Sequence, residues 1–172
     1  MNYQEKAVVF YCNGEPLVGV LHIPETPKKV GFIPIVADAP QYRPGNCRQL
    51  LQLARYLAAK GIPVMRFDYR GMGESGGVFP GLEREDDIAA AISVFSEYVP
   101  EIEKFILYGG CDGASAIAIH GWRYPNVSGF VLVNPWVHTE EGHAKVMIKH
   151  YYLERLKSRE FWNKVFKFKF NI

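Results

Sequence analysis

The chain has 172 residues, 48% of them apolar, which suits a single globular domain with a sizeable core. Its 20 basic and 18 acidic residues give a formal net charge of +2, so charge gives no reason to expect a nucleic-acid partner, and a small or neutral substrate fits better. Cys12, Cys47 and Cys111 are an odd number of cysteines without tight spacing, which argues against a disulfide framework and a metal site. The N-terminus lacks the profile of a secretory signal and no apolar run could cross a bilayer. We therefore expect a cytoplasmic protein without a transmembrane segment.

The first third of the chain predicts a hairpin, a buried strand and a helix. Residues 7–12 and 17–23 are apolar segments joined by Asn13-Gly14, a strong signal for two antiparallel strands. Residues 30–36 form a third apolar run, and residues 37–45 predict a long loop of the kind that often carries function. Apolar residues at helical spacing follow over residues 50–58, with Asn46 as the expected cap and Lys60-Gly61 as the stop.

The remainder continues the alternation of strands and helices. Residues 62–67, 105–108 and 129–133 predict strands, the last without alternation, as expected when both faces of a sheet are covered. Helices are predicted around an apolar face of Ile88, Ala91, Ile92 and Phe95, and over residues 114–122. This order predicts an α/β fold, a mostly parallel sheet with helices on both faces. We expect residues 1–137 to form this core and residues 138–172 a helical cap segment and terminus.

Residues 68–77 form a glycine-rich turn that is open to two interpretations. A phosphate-binding loop would need a Gly-Lys-Ser/Thr ending or a G-x-G-x-x-G pattern before a helix, and this segment has neither. We therefore expect a structural turn held in place by Asp68 and Arg70.

The sequence from Gly109 to Gly113, Gly-Gly-Cys-Asp-Gly, has the spacing of a nucleophile elbow with cysteine at its apex. Glycines two residues before and after the nucleophile relieve the crowding where a strand turns sharply into a helix. Cys111 is therefore the predicted nucleophile. The alternative is a small buried residue at a tight junction, and Ser115, one helical turn later, is a weaker candidate.

A nucleophilic thiol needs a base and an oxyanion hole. A thiol with the ordinary pKa of about 8.5 is only a few per cent ionised at neutral pH, a helix N-terminus improves this only slightly, and the adjacent charge of Asp112 opposes the gain. His138 is the candidate base, with Glu140 or Glu141 to orient it, although a solvated loop histidine is the alternative. His120, His143 and His150 are the other histidines considered. The oxyanion donors are expected to be the amide of Asp112 and an amide of Asp38 or Ala39.

Five segments together resemble the exosortase A system-associated hydrolase 1 family: residues 40–43 (Pro-Gln-Tyr-Arg), 66–75 (Arg-Phe-Asp-Tyr-Arg-Gly-Met-Gly-Glu-Ser), 111–115 (Cys-Asp-Gly-Ala-Ser), 134–136 (Asn-Pro-Trp) and 150–153 (His-Tyr-Tyr-Leu). The resemblance runs from about residue 6 to residue 164. It implies an α/β-hydrolase fold, no metal or organic cofactor, and a role linked to bacterial exopolysaccharide and protein-sorting loci. The chain departs from the pattern at Ala37-Asp38-Ala39, where a glycine-rich start to the oxyanion loop is expected.

Two functions remain open from the sequence. The first is an acyl hydrolase or acyl transferase that attacks a small-molecule ester or thioester through Cys111. The second is a catalytically inactive, C-terminally truncated relative that acts as a binding or assembly module, since α/β-hydrolases place their acid and histidine after the nucleophile and residues 114–172 contain no aspartate. On this view the last strands are missing, and the exposed sheet edge predicts a homo-oligomer. The alternating residues 164–170 predict an edge strand or frayed terminus rather than a membrane contact.

Overall fold

Six strands form one mixed sheet in the computed structural model, which describes residues 2–37 and 41–135. They are β1 (Tyr3–Cys12), β2 (Glu15–Pro24), β3 (Val30–Ile35), β4 (Val64–Phe67), β5 (Lys104–Gly110) and β6 (Val127–Val133), in the spatial order β1-β2-β4-β3-β5-β6. The predicted α/β fold is confirmed. The described residues belong to one unit, Met1–Trp136, and the expected cap over residues 138–172 lies outside them.

The predicted N-terminal hairpin is present and longer than expected. β1 and β2 pair antiparallel from Tyr3 opposite Pro24 to Cys12 opposite Glu15. Asn13 and Gly14 both have positive φ, 51° and 83°, as a two-residue turn of the type that matches strand twist requires. β2 also pairs antiparallel with β4, which joins the hairpin to the parallel part of the sheet.

Three helices cover the parallel strands: α1 (Gln49–Ala59), α2 (Glu85–Tyr98) and α3 (Cys111–His120). The chain crosses the sheet in one direction from β3 to β4 and in the other from β4 through β5 to β6. Because such crossovers are right-handed, α1 lies on one face and α2 and α3 on the other. Phe95 of α2 and Phe105 of β5 are fully buried with ring centroids 5.7 Å apart, which places the main core between that helix layer and the sheet.

The prediction that Asn46 caps α1 is wrong. A single 3₁₀ turn, Asn46–Arg48, precedes the helix, and Arg48 occupies the cap position with φ 62° and no side-chain cap. The carbonyl of Pro44 accepts hydrogen bonds from the amides of Leu50 and Leu51 at 3.0 and 3.1 Å. A backbone oxygen thus satisfies amides that a capping side chain would otherwise serve. The predicted stop is confirmed, since Lys60 follows the last helical residue.

The prediction that both faces of residues 129–133 are covered is also wrong. Phe130, Val131, Leu132 and Val133 are 38–46% exposed. β6 is an edge strand of the described sheet. α1 packs against β2 and β4, which β3 and β5 separate from β6. The strand therefore presents apolar side chains that the described helices leave partly uncovered.

The glycine-rich turn after β4 is structural, as predicted. Asp68 pairs with Arg43 of the preceding loop, and its carboxylate accepts the Arg43 amide at 2.5 Å. Arg70 pairs with the buried Asp87 of α2, Nε to Oδ1, at 2.6 Å. The turn is thus anchored both to the loop that follows β3 and to α2.

None of the helices in residues 2–37 and 41–135 has the length and apolar character needed to cross a membrane.

Candidate active site

The nucleophile elbow is formed by the junction of β5 and α3. β5 ends at Gly110 in extended conformation, and α3 begins at Cys111, three residues earlier than the sequence predicts. Cys111 has φ 50°, in the left-handed region that a residue with a side chain adopts only at an energetic cost. The strain is located at the predicted nucleophile, where a strand turns directly into a helix.

Two of the glycines are required by close backbone approach. A Cβ on Gly109 would lie 2.6 Å from the backbone of Gly113 and Ala114, and a Cβ on Gly113 would lie 2.7 Å from the carbonyl oxygen of Ile35. A Cβ on Gly110, by contrast, would have no neighbour within 4 Å. The flanking glycines of the predicted motif are therefore those that permit the sharp turn.

The Cys111 residue is exposed and borders a cavity of about 200 Å³. The cavity is formed where the chain leaves the carboxyl ends of β3, β5 and β6, which is the usual place for α/β sites. Its described lining combines apolar residues with three side-chain amides and comprises Ile35, Ala37, Gln41, Gln49, Leu50, Tyr108, Gly110, Cys111, Val133 and Asn134. This arrangement offers a thiol beside a small space of mixed polarity.

Two other residues near the elbow, Ser115 and Asp112, are buried. Ser115 is fully buried, and its Oγ donates to the carbonyl of Cys111 at 3.3 Å, so a substrate cannot reach it. The Asp112 side chain is 8% exposed and its carboxylate accepts a hydrogen bond from Nη2 of Arg84. The Asp112 carboxylate thus has a cationic partner that the sequence does not predict.

Residues 45–165 match the Hydrolase_4 family, described as serine aminopeptidase, S33. The chain belongs to this family of α/β-hydrolases. No curated protein matches the sequence.

Solved α/β-hydrolase structures share the fold at low sequence identity. The esterase Pf2001 of Pyrococcus furiosus is 21% identical with a TM-score of 0.70, over 87% of this chain and 58% of its own. The α/β hydrolase GrgF of Penicillium sp. sh18 is 19% identical with a TM-score of 0.65, over 91% and 55%. XC6422 of Xanthomonas campestris, a serine hydrolase without a lid, is 21% identical with a TM-score of 0.62, over 81% and 67%. The chain thus spans little more than half the length of the first two.

α/β-Hydrolases draw their base from a histidine after the nucleophile in chain order. Two histidines fall in the described part of the chain, and neither lines the cavity with Cys111. His22 is buried in β2, where its Nε2 accepts a hydrogen bond from Nε of Arg66 at 3.0 Å. His120 ends α3, about 13 Å along the helix axis from Cys111.

The other predicted site residues are not tested by the geometry. His138, Glu140, Glu141, His143 and His150 lie outside the described residues, as do the proposed oxyanion donors Asp38 and Ala39. Asp112 is in place as the second residue of α3.

The sequence missed one residue of this region, Arg84. It stands between Glu83 and Glu85 just before α2, a setting typical of a solvated side chain, yet it is fully buried. The available signal was Asp112 beside the nucleophile, since a carboxylate that the fold buries at that junction needs a cationic partner.

Proposed function

We propose that the chain is an acyl hydrolase or acyl transferase that attacks small-molecule esters or thioesters through Cys111. The observation that carries the proposal is the strained, exposed Cys111 at the β5–α3 turn, bordered by a cavity at the carboxyl edge of the sheet. The esterase and serine hydrolase among the related structures support acyl chemistry on this fold.

The proposed reaction has two steps. The thiolate attacks the acyl carbon, a C–S bond forms, and the carbonyl oxygen carries the negative charge of a tetrahedral intermediate. The C–O or C–S bond to the leaving group then breaks, and the leaving alkoxide or thiolate takes from the base the proton that the base accepted from the Cys111 thiol. In the second step water (in a hydrolase) or an acceptor nucleophile (in a transferase) gives its proton to the base and attacks the thioester. The C–S bond breaks, the acid or the transferred acyl product leaves, and the Cys111 thiolate is regenerated.

The remaining parts of this machinery are proposals from the sequence. His138 is proposed as the base, oriented by Glu140 or Glu141. The amides of Asp112 and of Asp38 or Ala39 are proposed as the oxyanion hole. Residues 138–172 are proposed to form the cap.

The cavity indicates the size of the substrate, and the sequence and the cysteines indicate the cellular role. A cavity of about 200 Å³, with Leu50 and Val133 beside Gln41, suits a short acyl group rather than a long chain. A role linked to bacterial exopolysaccharide and protein-sorting loci is proposed on the sequence resemblance alone. The three free cysteines support a cytoplasmic location.

The alternative function is a binding or assembly module without catalysis. It is supported by the absence of any histidine from the cavity lining that the structure describes. Under this alternative the Cys111 thiol has ordinary reactivity.

The two functions are separated by acetylation with p-nitrophenyl acetate, followed by intact mass and peptide mapping. The catalytic proposal predicts a burst of p-nitrophenolate and an acetyl group on Cys111, both lost in Cys111→Ala and reduced in Cys111→Ser. Cys47 is the internal reference because it is also exposed, whereas burial and Asp87 raise the pKa of Cys12 to about 12. Acetylation of Cys111 no faster than that of Cys47 contradicts the proposal and favours the binding module.

We also propose that β6 pairs with β6 of a second copy. Residues 127–133 carry no charge, and an antiparallel edge contact between two identical strands closes a two-fold dimer. The exposed row from Phe130 to Val133 supplies the apolar surface for this contact.

A further inference from the structure

Arg84 lies in the core, immediately before α2, although its sequence neighbours are both acidic. Its side chain is fully buried, and its Cζ lies 4.6 Å from the ring centroid of Tyr69 and 5.0 Å from that of Phe79. The Nε group donates to the carbonyl of Gly81. The plane of the guanidinium is thus fixed by two aromatic rings and a backbone oxygen.

The two terminal nitrogens of Arg84 connect two different segments of the chain. Nη2 donates to the carboxylate of Asp112 at the start of α3. Nη1 donates to the carbonyl of Val36 at 3.0 Å and contacts the hydroxyl of Tyr69 at 3.1 Å. The Tyr69 hydroxyl itself donates to the same Val36 carbonyl. One side chain therefore holds the elbow and the segment that follows β3.

These are the two segments proposed to supply the oxyanion hole. Asp112 contributes its own amide, and the chain runs from Val36 through Ala37 to Asp38 and Ala39. The segments also touch directly, because a Cβ on Gly113 would lie 2.7 and 3.1 Å from the carbonyl oxygens of Ile35 and Val36. Their separation is set by this contact on one side and by Arg84 on the other.

A buried ion pair of this kind adds little net stability. Desolvation of two charges offsets much of their attraction, so replacing such pairs by apolar residues is often neutral or stabilising. A planar guanidinium, however, donates along fixed directions and can hold two acceptors at a set spacing, which an ammonium group cannot do. It also neutralises the Asp112 carboxylate beside the position where an oxyanion would develop.

We propose that Arg84 is a positioning residue, which sets the spacing of the two oxyanion-hole segments by binding Asp112 and the Val36 carbonyl together. The inference rests on the proposed acyl chemistry at Cys111. It assigns Arg84 an effect on the charged tetrahedral intermediate that exceeds any effect of the Arg84–Asp112 pair on the thiolate.

Two reactions of the same thiol test this assignment. Acetylation of Cys111 by p-nitrophenyl acetate passes through an oxyanion, whereas alkylation by iodoacetamide displaces iodide directly and forms none. In Arg84→Met we expect acetylation of Cys111 to slow by about 100-fold relative to its alkylation, the effect of losing one oxyanion donor, because alkylation reports any change in the thiolate itself. Arg84→Lys retains the charge without the fork and should recover only a small part of the lost rate.

Arg70→Met is the matched control. Arg70 also pairs with a buried carboxylate, that of Asp87, but contacts neither oxyanion segment in the interactions described. Its loss should leave the ratio of acetylation to alkylation at the wild-type value. An equal fall of this ratio in Arg70→Met overturns the assignment, since general loosening would then explain both results.

A double variant, Arg84→Met with Asp112→Leu, keeps the test valid if Arg84→Met alone does not fold. It removes both members of the Arg84–Asp112 ion pair, so neither is left buried without the other, and it should fold and still acetylate slowly. Recovery of the wild-type acetylation rate in this variant shows that charge compensation alone matters and overturns the positioning role. Normal acetylation in folded Arg84→Met also overturns it. A wild-type protein that alkylates but never acetylates at Cys111 overturns the proposed function, and the inference with it.

Discussion

Gly113 lies in the first turn of α3, where the elbow helix touches the end of β3. In a helix interior, exchange of glycine for alanine usually stabilises by about 1 kcal/mol. At this position the added Cβ would lie 2.7 Å from the carbonyl oxygen of Ile35. Such overpacking against rigid backbone typically costs about 1–3 kcal/mol. Gly113→Ala should therefore lower the free energy of unfolding by roughly 1–2 kcal/mol, measured by urea denaturation.

Gly110→Ala is the control for this prediction. Gly110 has φ −108° and a Cβ there would meet nothing within 4 Å, so alanine should be tolerated within about 0.5 kcal/mol. A Gly113→Ala protein as stable as Gly110→Ala would show that α3 can move away from β3. The elbow backbone would then shift more easily than the contact distances indicate.

At this scale the sequence was sufficient for Cys111 and insufficient for Arg84. The elbow is a local motif in which glycines at fixed offsets carry the geometric requirement, so five consecutive residues were enough. The contacts of Arg84 with Asp112 and Val36 join residues far apart in the chain, and no local pattern encodes them. The pairing of Asp112 with Arg84 was missed for the same reason.

At the scale of elements, the buried His22, with partners on β1 and β4, makes the stability of the fold depend on pH. Burial and the charge of Arg66 lower the pKa of His22 to about 4, against the opposing influence of Glu5, whose carboxylate lies 3.7 Å from Nδ1. Arg55 of α1 acts in the same direction as Arg66. The folded state therefore keeps His22 neutral where the unfolded chain would protonate it.

The sign of the effect on stability follows from proton binding. Between pH 6.5 and about 4 the unfolded state binds more protons at this site, so the free energy of unfolding falls as pH falls through that range. Across this range the shifted pKa of His22 changes the free energy of unfolding by on the order of 3 kcal/mol. In His22→Gln, where the amide oxygen can still accept from Arg66, urea denaturation from pH 7.5 to 4.5 should show a shallower decline. Identical pH slopes in both proteins would contradict the prediction.

The order of elements was predictable, and the starts of two helices were not. Apolar runs and turn signals located all six described strands and three helices, because burial imposes those patterns directly. The start of α1 was wrong because the Pro44 carbonyl serves its amides, and the start of α3 because the strained elbow places Cys111 in the helix. Both ends depend on backbone contacts that side-chain propensity does not report.

At the scale of the molecule, the sheet has two edge strands in its described part, β1 and β6, with different chemistry. β1 carries Gln4, Glu5 and Lys6, and charges on an edge discourage pairing with another chain. β6 carries none, and four consecutive apolar residues on it are at least 38% exposed. A second copy is therefore expected to pair at β6 and not at β1.

Lysine substitutions at the two edges test this expectation. Val131→Lys introduces a charge on β6, where the side chain is 44% exposed, and should shift the proposed dimer to monomer in light scattering coupled to size exclusion. Val9→Lys makes the same exchange on β1, where the side chain is 62% exposed, and should leave the dimer intact. Because both sites are exposed, neither exchange should change the free energy of unfolding by more than about 0.5 kcal/mol. A dimer that survives Val131→Lys, or a wild-type protein that is monomeric at its highest attainable concentration, would remove the β6 interface.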